Sequence, residues 1–268
     1  MNTTNTSPHW DTHAHVFAGT VRTGSHYKPD EHSLGMWREA AEPHDINRVV
    51  LVQPSVYGFD NAVMLDALTS SGGVHRGVAV IDASVTDQAL EIMHAAGVRG
   101  VRFNLVSPVG NDTSDIDAVI ARVKPLGWNA QFFLQPAHYA WLRERHTAWG
   151  VNVVIDHLAG LHVNGSNAED IAALFALADL GAWLKVSAYY RLGAVVPFDE
   201  IDSLIATLHE RFIGRLLWGS DWPHTWYMEA TRGGAPPYES LLAPLTRAFP
   251  DAGVRESVLY DAPERLYR

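Results

Sequence analysis

RLLWGSDWPH, residues 215–224, is an apolar run that ends abruptly in small and polar residues. Seven further stretches repeat that design: HWDTHAHVF (9–17), RVVLVQPS (48–55), HRGVAVID (75–82), GVRGVRFNL (97–105), NAQFFLQP (129–136), NVVIDHLAG (152–160) and AWLKVSAYYRL (182–192). Their wealth of Val, Ile, Leu and aromatic residues is that of strands buried on both faces. Between them apolar residues recur at helical spacing, as in the stripe Ile116, Val119, Ile120, Val123 within 115–126. Residues 61–70, 168–180 and 198–212 read the same way, and Gly127, Gly150, Gly181 and Gly214 follow helices as expected C-caps. Strands that alternate with helices specify a parallel sheet. Eight such units with no break in composition predict an α/β fold, a single-domain (β/α)8 TIM barrel over 9–268, preceded by a flexible N-terminus at 1–8. The 268-residue length fits one barrel, which typically takes ~250 residues. A doubly wound sheet is the architectural alternative.

Working outward, two segments break the rhythm, 18–32 after the first strand and 225–239 after the eighth. Both follow strand C-termini, where barrels build their active sites, and long loops there serve as lids or binding loops. The formal net charge of −10, with no run of Lys or Arg, argues against a nucleic-acid partner. It leaves room for an anionic substrate, because a few converging arginines override an average field. Absence of cysteine excludes disulfides and thiolate zinc sites. The N-terminus lacks the basic and apolar regions of a signal peptide, and no apolar stretch reaches the ~20 residues of a membrane span. These features predict a soluble cytoplasmic protein without a membrane partner. A homo-oligomer remains open, since outer helices of barrels pair in many ways.

His13-Ala14-His15 ends the first strand, and alternate strand residues face the same side. Both imidazoles therefore point into the barrel mouth, where they suit one metal ion or one polarised carbonyl. His157 ends the sixth strand and Asp221 the eighth, so four ionisable groups converge at one end. Taken singly, His157 reads equally as a core histidine and Asp221 as a helix cap or an arginine's partner. Arg99 and Arg102 in the fourth strand and Arg191 after the seventh offer planar forks of donors that match carboxylates. Ser55 and Tyr57 follow the second strand, with Gln53 on Ser55's face, as hydrogen-bonding candidates. Trp222 and Trp226 are expected to line the pocket, with His138, His162 and His224 behind it.

The motifs DTHAHVF, VQPSVYGFDN, GVRGVRFNL, VVIDHLAG and LLWGSDWPH, in this order, resemble the amidohydrolase superfamily, in particular its branch of lactone hydrolases. The resemblance covers nearly the whole chain. It implies opening of a carboxylate-bearing lactone, a pyrone dicarboxylate or a muconolactone, with Asp221 as the base that activates water. His13, His15 and His157 would polarise the carbonyl without a metal, or with Asp221 hold one divalent ion, zinc above all. Arg102 and Arg191, and less directly Arg99, match the family's carboxylate-binding arginines, and Tyr27 resembles a loop tyrosine. The ends of strands four and five, Phe103-Asn104-Leu105 and Leu134-Gln135-Pro136, offer no bridging lysine or glutamate, so a binuclear centre is not expected. Lys185, inside strand seven, reads as a structural or substrate contact. A metal-dependent sugar lactonase, a metal-dependent decarboxylase and a non-catalytic binding barrel are the other readings.

Overall fold

The computed structural model describes residues 7–20, 29–106 and 114–268. All eight expected strands are present: β1 (His9–Ala14), β2 (Ile46–Val52), β3 (Arg76–Ala79), β4 (Val98–Asn104), β5 (Asn129–Phe133), β6 (Val153–Ile155), β7 (Trp183–Ser187) and β8 (Leu216–Gly219). They pair in sequence order, every pair parallel. The barrel closes just beyond the last strand. Asp221 N donates to His13 O at 2.8 Å, and His15 N to Trp222 O at 2.8 Å.

Helices α1 (Leu34–Ala41), α2 (Ala62–Ser70), α3 (Asp87–Ala96), α4 (Ile116–Val123), α5 (Tyr139–Trp149), α6 (Ala168–Asp179) and α7 (Asp202–His209) connect consecutive strands. After β8 come α8 (Thr225–Thr231), α9 (Tyr238–Ala248), α10 (Ala252–Glu256) and α11 (Ala262–Tyr267). The stripe expected on α4 is wholly buried. Asn167 caps α6 by accepting from Glu169 N and Asp170 N, while Asp170 reaches back to Asn167 N. The four glycines expected to follow helices all take positive φ.

Three boundaries differ from expectation. Residues 225–231, read as loop, form α8. Strand β7 stops at Ser187, because Ala188 turns left-handed (φ 52°) into a tight turn at Tyr189–Leu192. Residues 199–201 make a separate tight turn before α7 starts.

Each strand is buried on both faces, which is why its sequence is a continuous apolar run. Outward residues such as Val49, Leu51, Val101, Phe103, Phe132 and Ile155 pack against the helices. There Phe103 stacks on Phe132 at 5.1 Å, and Phe132 on Trp149 at 5.4 Å. Inward residues Trp10, Val50, Val52, Val78, Val154, Trp183 and Leu217 form a second cluster with Leu266 and Tyr267 of α11. No helix among the described residues is long and apolar enough to cross a membrane.

Candidate active site

Strand β1 aims its histidines through an irregularity. Asp11 pairs with Val49 and Ala14 with Leu51, so three residues of β1 advance against two of β2. Such a bulge re-aims side chains. Trp10 faces the barrel interior, Asp11 faces the helix layer, and His13 and His15 return to the inside. Gly219 on β8 makes room for them, since a Cβ there would stand 2.6 Å from His13 Cβ. The buried Asp11 carboxylate then clamps the seam. It accepts from His13 N (3.1 Å), Ser220 N (2.9 Å), Ser220 Oγ (2.5 Å), Trp37 Nε1 (3.0 Å) and the Tyr238 hydroxyl (3.1 Å). Burial pushes its pKa up, against the hydrogen bonds from Ser220.

Beyond that clamp the chain is strained where the chemistry sits. Asp221 has φ 63°, and His157, Leu158 and Ala159 have φ 53°, 49° and 61°. Left-handed conformations at residues with a Cβ cost about 1–3 kcal/mol each and persist where the surroundings over-determine them. At His157 and Asp221 the effect is to turn those two side chains toward the point that His13 and His15 already face. Asp221 Oδ1 lies 3.4 Å from His15 Nε2, 3.7 Å from His13 Nε2 and 3.9 Å from His157 Nε2. Its other oxygen, Oδ2, accepts from the Tyr190 hydroxyl (2.6 Å) and Arg191 Nε (3.2 Å).

His15 Nδ1 donates to the Val52 carbonyl at 2.7 Å, which leaves a lone pair on Nε2 of the neutral ring. His157 Nδ1 meets Ser187 Oγ at 2.9 Å. Burial drives His157 down to about 3, although Asp221 and Asp156 pull the other way. His13 is pushed well below the usual imidazole value by burial and by the charge of Lys185. Both rings are therefore neutral near pH 7. Burial alone would raise Asp221, but Arg191 and then His157 bring it well below the usual carboxylate range.

The arginines divide. Arg102, buried, donates from Nε to Asp156 Oδ2 at 2.9 Å, and its guanidinium lies 5.4 Å from the Phe133 ring centre. Arg191 comes to the same ring at 5.5 Å and to Trp226 at 5.4 Å. Arg99 does not join them. It alternates with inward-facing Gly100 and Arg102, lies at the N-terminal end of β4, and donates to the carbonyls of His94 and Val98.

Tyr57 sits past β2 as expected, but its hydroxyl donates to Ala18 O and accepts from Ala18 N, tying down the first loop. Gln53 is fully buried and donates to Asp60 O at 2.6 Å. Ser55 is half-buried at the start of the turn after β2. Tyr27 lies outside the described residues. Trp222 is buried edge-on to His32, and His224 is buried with Nδ1 3.4 Å from the Tyr190 hydroxyl. His138 turns back to the Gln135 backbone, and His162 is exposed.

Several neighbours escape a reading of the sequence by motif. Asp156, Gln131, Tyr190 and Ser187 all reach into this constellation, and Asp11 supports it from behind. A signal for Asp156 existed: an acid at the inward end of an apolar run, beside His157, must be paired.

Metal-ligand chemistry fits part of this arrangement. The ligand atoms of His13, His157 and Asp221 lie within 4.8 Å of one another. His13 Nε2 and Asp221 Oδ1 are buried with no hydrogen-bond partner. Nitrogen and carboxylate donors so spaced suit one divalent ion of the zinc type.

An eight-stranded barrel with three imidazoles and an aspartate at the C-terminal mouth defines a hydrolase-type barrel. The chain belongs to the amidohydrolase family, whose profile matches residues 10–268. It is 31% identical to a 2-pyrone-4,6-dicarboxylate hydrolase of Comamonas testosteroni, over 96% of this chain and 89% of that one. A 4-sulfomuconolactone hydrolase of Rhizobium radiobacter is also 31% identical, with the same coverage. Among solved structures, a probable 2-pyrone-4,6-dicarboxylic acid hydrolase of Acinetobacter baumannii with citric acid bound superposes with a TM-score of 0.83. It is 27% identical, over 97% of this chain and 99% of that one.

Proposed function

We propose that this protein hydrolyses a lactone that carries one or more carboxylates, of the pyrone dicarboxylate or muconolactone kind. The observation that carries the reading is the single carboxylate oxygen, Asp221 Oδ1, surrounded by three imidazole Nε2 atoms at 3.4–3.9 Å. Two relatives that share 31% identity over most of both chains are named for hydrolysis of such rings.

Asp221 acts as general base. Held ionised by Arg191, it takes a proton from a water molecule as the water oxygen attacks the ring carbonyl carbon. Imidazole N–H groups of His13 and His157 stabilise the oxyanion that forms on the carbonyl oxygen, while His15, whose Nδ1 hydrogen is spent on the Val52 carbonyl, faces the attacking water through Nε2. As the tetrahedral centre collapses, the ring C–O bond breaks. Asp221 passes its proton to the departing ring oxygen, and the product is the open-chain acid. Arg102 and Arg191, both against Phe133, orient the substrate's carboxylates. Of the five charged groups gathered here, Arg102, Lys185 and Arg191 outnumber Asp156 and Asp221, which favours an anion. Arg99 has no part in this.

Were one divalent ion bound, His13, His157 and Asp221, with His15 beside them, would hold it, and it would polarise the carbonyl as a Lewis acid. In that second version the substrate extends to sugar lactones, and the buried Asp221 Oδ1 without a hydrogen-bond partner is the atom that would meet the ion. The decisive experiment is hydrolysis of 2-pyrone-4,6-dicarboxylate by the purified protein, with and without a strong chelator. Turnover that survives chelation supports the metal-free version, and turnover abolished by chelation and restored by zinc supports the other. No turnover on pyrone or muconolactone substrates under either condition overturns the reading.

A further inference from the structure

Below the mouth, a chain of hydrogen bonds runs through the barrel interior with a single possible direction. It starts at the Arg99 carbonyl, which can only accept. Asn129 Nδ2 donates to it at 2.7 Å, so Asn129 Oδ1 faces the other way. Gln131 Nε2 donates to that oxygen at 2.8 Å and to the Tyr267 hydroxyl at 2.9 Å. Both amide hydrogens of Gln131 are thereby placed, and its Oε1 is left to accept from Lys185 Nζ at 2.6 Å. Gly100 keeps the first link in place, since a Cβ there would stand 2.5 Å from Asn129 Oδ1.

An ammonium has donors and no acceptor. Lys185 Nζ lies 3.2 Å from His13 Nδ1 and forms an ion pair with Asp156 Oδ1 at 3.2 Å. Asp156 Oδ1, 3.4 Å from His13 Nδ1, competes by drawing a proton to that nitrogen, but Lys185 Nζ is nearer, at 3.2 Å, and an ammonium facing Nδ1 can only donate to it. We infer that Lys185 is a positioning residue, which fixes His13 as the tautomer with its proton on Nε2 and so makes it a hydrogen-bond donor toward the substrate. This deepens the lactonase reading and rests on it only for the identity of the oxyanion.

The orphaned state of His13 Nε2 now has a reason. Its hydrogen faces the space beside Asp221 Oδ1, 3.7 Å away, where a carbonyl oxygen gaining charge would take it. A ring that carries its proton on Nε2 has no lone pair there for a metal. Histidines that ligate metals usually donate from the other ring nitrogen to a carboxylate or carbonyl, whereas here that nitrogen accepts from a cation.

The test begins with the full-length protein labelled with ¹⁵N-histidine and no substrate, with His13 assigned by the His13→Asn variant. The expected spectrum shows a protonated Nε2 and an unprotonated Nδ1 for His13. The opposite pattern overturns the inference, whichever substrate the enzyme proves to use. In Lys185→Met, His13 is expected to shift toward the Nδ1–H form that Asp156 favours. On an active lactone kcat is expected to fall about 10²-fold with KM within twofold, the signature of a donor felt in the transition state. An unchanged kcat, or a rise in KM alone, counts against the role. Should Lys185→Met not fold, the wild-type spectrum decides.

Discussion

The two sides of the barrel's inner wall are equally buried and chemically opposite. Along β2 and β3 the interior is filled by Val50, Val52 and Val78. Along β4 to β7, beside Val154 and Trp183, equally buried positions hold Arg102, Gln131, Asp156 and Lys185. A buried valine contributes about 1.5–3 kcal/mol outright. Each buried ion costs several kcal/mol in lost hydration, recovered only through its partners. The valine wall shows that this architecture does not need charge to fill its centre. The charged wall is there for what it presents to the mouth, and its stability rests on pairs that fail when one member is removed.

The sharpest break in that comparison is Asp221→Asn, which keeps the volume and removes the base. Turnover is expected to fall by up to ~10⁴-fold while the thermal midpoint stays near that of wild type. Steady-state kinetics with a melting curve checks both halves. Next in size is Arg102→Ala, which leaves Asp156 to Lys185 alone and is expected to cost about 3–5 kcal/mol in denaturant unfolding. Val78→Ala, its counterpart on the aliphatic wall, is expected to cost about 1–3 kcal/mol. Equal losses would erase the distinction between the walls.

A third test uses acid. The valine side has a buried imidazole of its own, His75, whose Nδ1 accepts from Val49 N. Burial, with the charges of Arg38, Arg48 and Arg76, lowers it to about 4 from an ordinary 6.5. As pH falls below 6.5 the unfolded chain takes up the proton first, so stability declines and levels off near pH 4. The loss from this group is on the order of 3 kcal/mol. His75→Gln should flatten that part of the pH–stability curve, and an unchanged slope would assign it to other groups.

Smallest is Arg191→Ala. Its guanidinium is partly solvated, so little stability is at stake, but KM for a dicarboxylate lactone is expected to rise about tenfold. Without the cation Asp221 loses its chief stabilising charge, and the acid limb of the kcat/KM profile should move to higher pH.

How far these features were legible from sequence follows from their physical range. Strands buried on both faces announce themselves as apolar runs, so all eight were visible, and His13, His15, His157 and Asp221 were visible at their ends. The relations between strands were not. Nothing in HWDTHAHVF shows the extra residue that turns Asp11 outward while His13 faces in. The meeting of Lys185, Gln131, Asp156 and Arg102 is a matter of barrel register, which no single strand encodes. Arg99 was misplaced because three residues along a strand reverse the face, and the motif that contains both arginines hides that alternation. Helix α8 was missed because Gly233, Gly234 and two prolines nearby dominate the composition of 225–239.

The seam between the first and last strands has a consequence for the life of the chain. The backbone bonds that close the barrel belong to His13, His15, Asp221 and Trp222 themselves. Six strands lie between the one that ends in the histidine pair and the one that leads to the aspartate, so the pair is made well before the aspartate that completes the site. A growing chain is therefore chemically silent until its last strand docks against its first. A preparation cut between β7 and β8 would recover activity and ring closure in one event, so catalysis itself reports that the circle is complete.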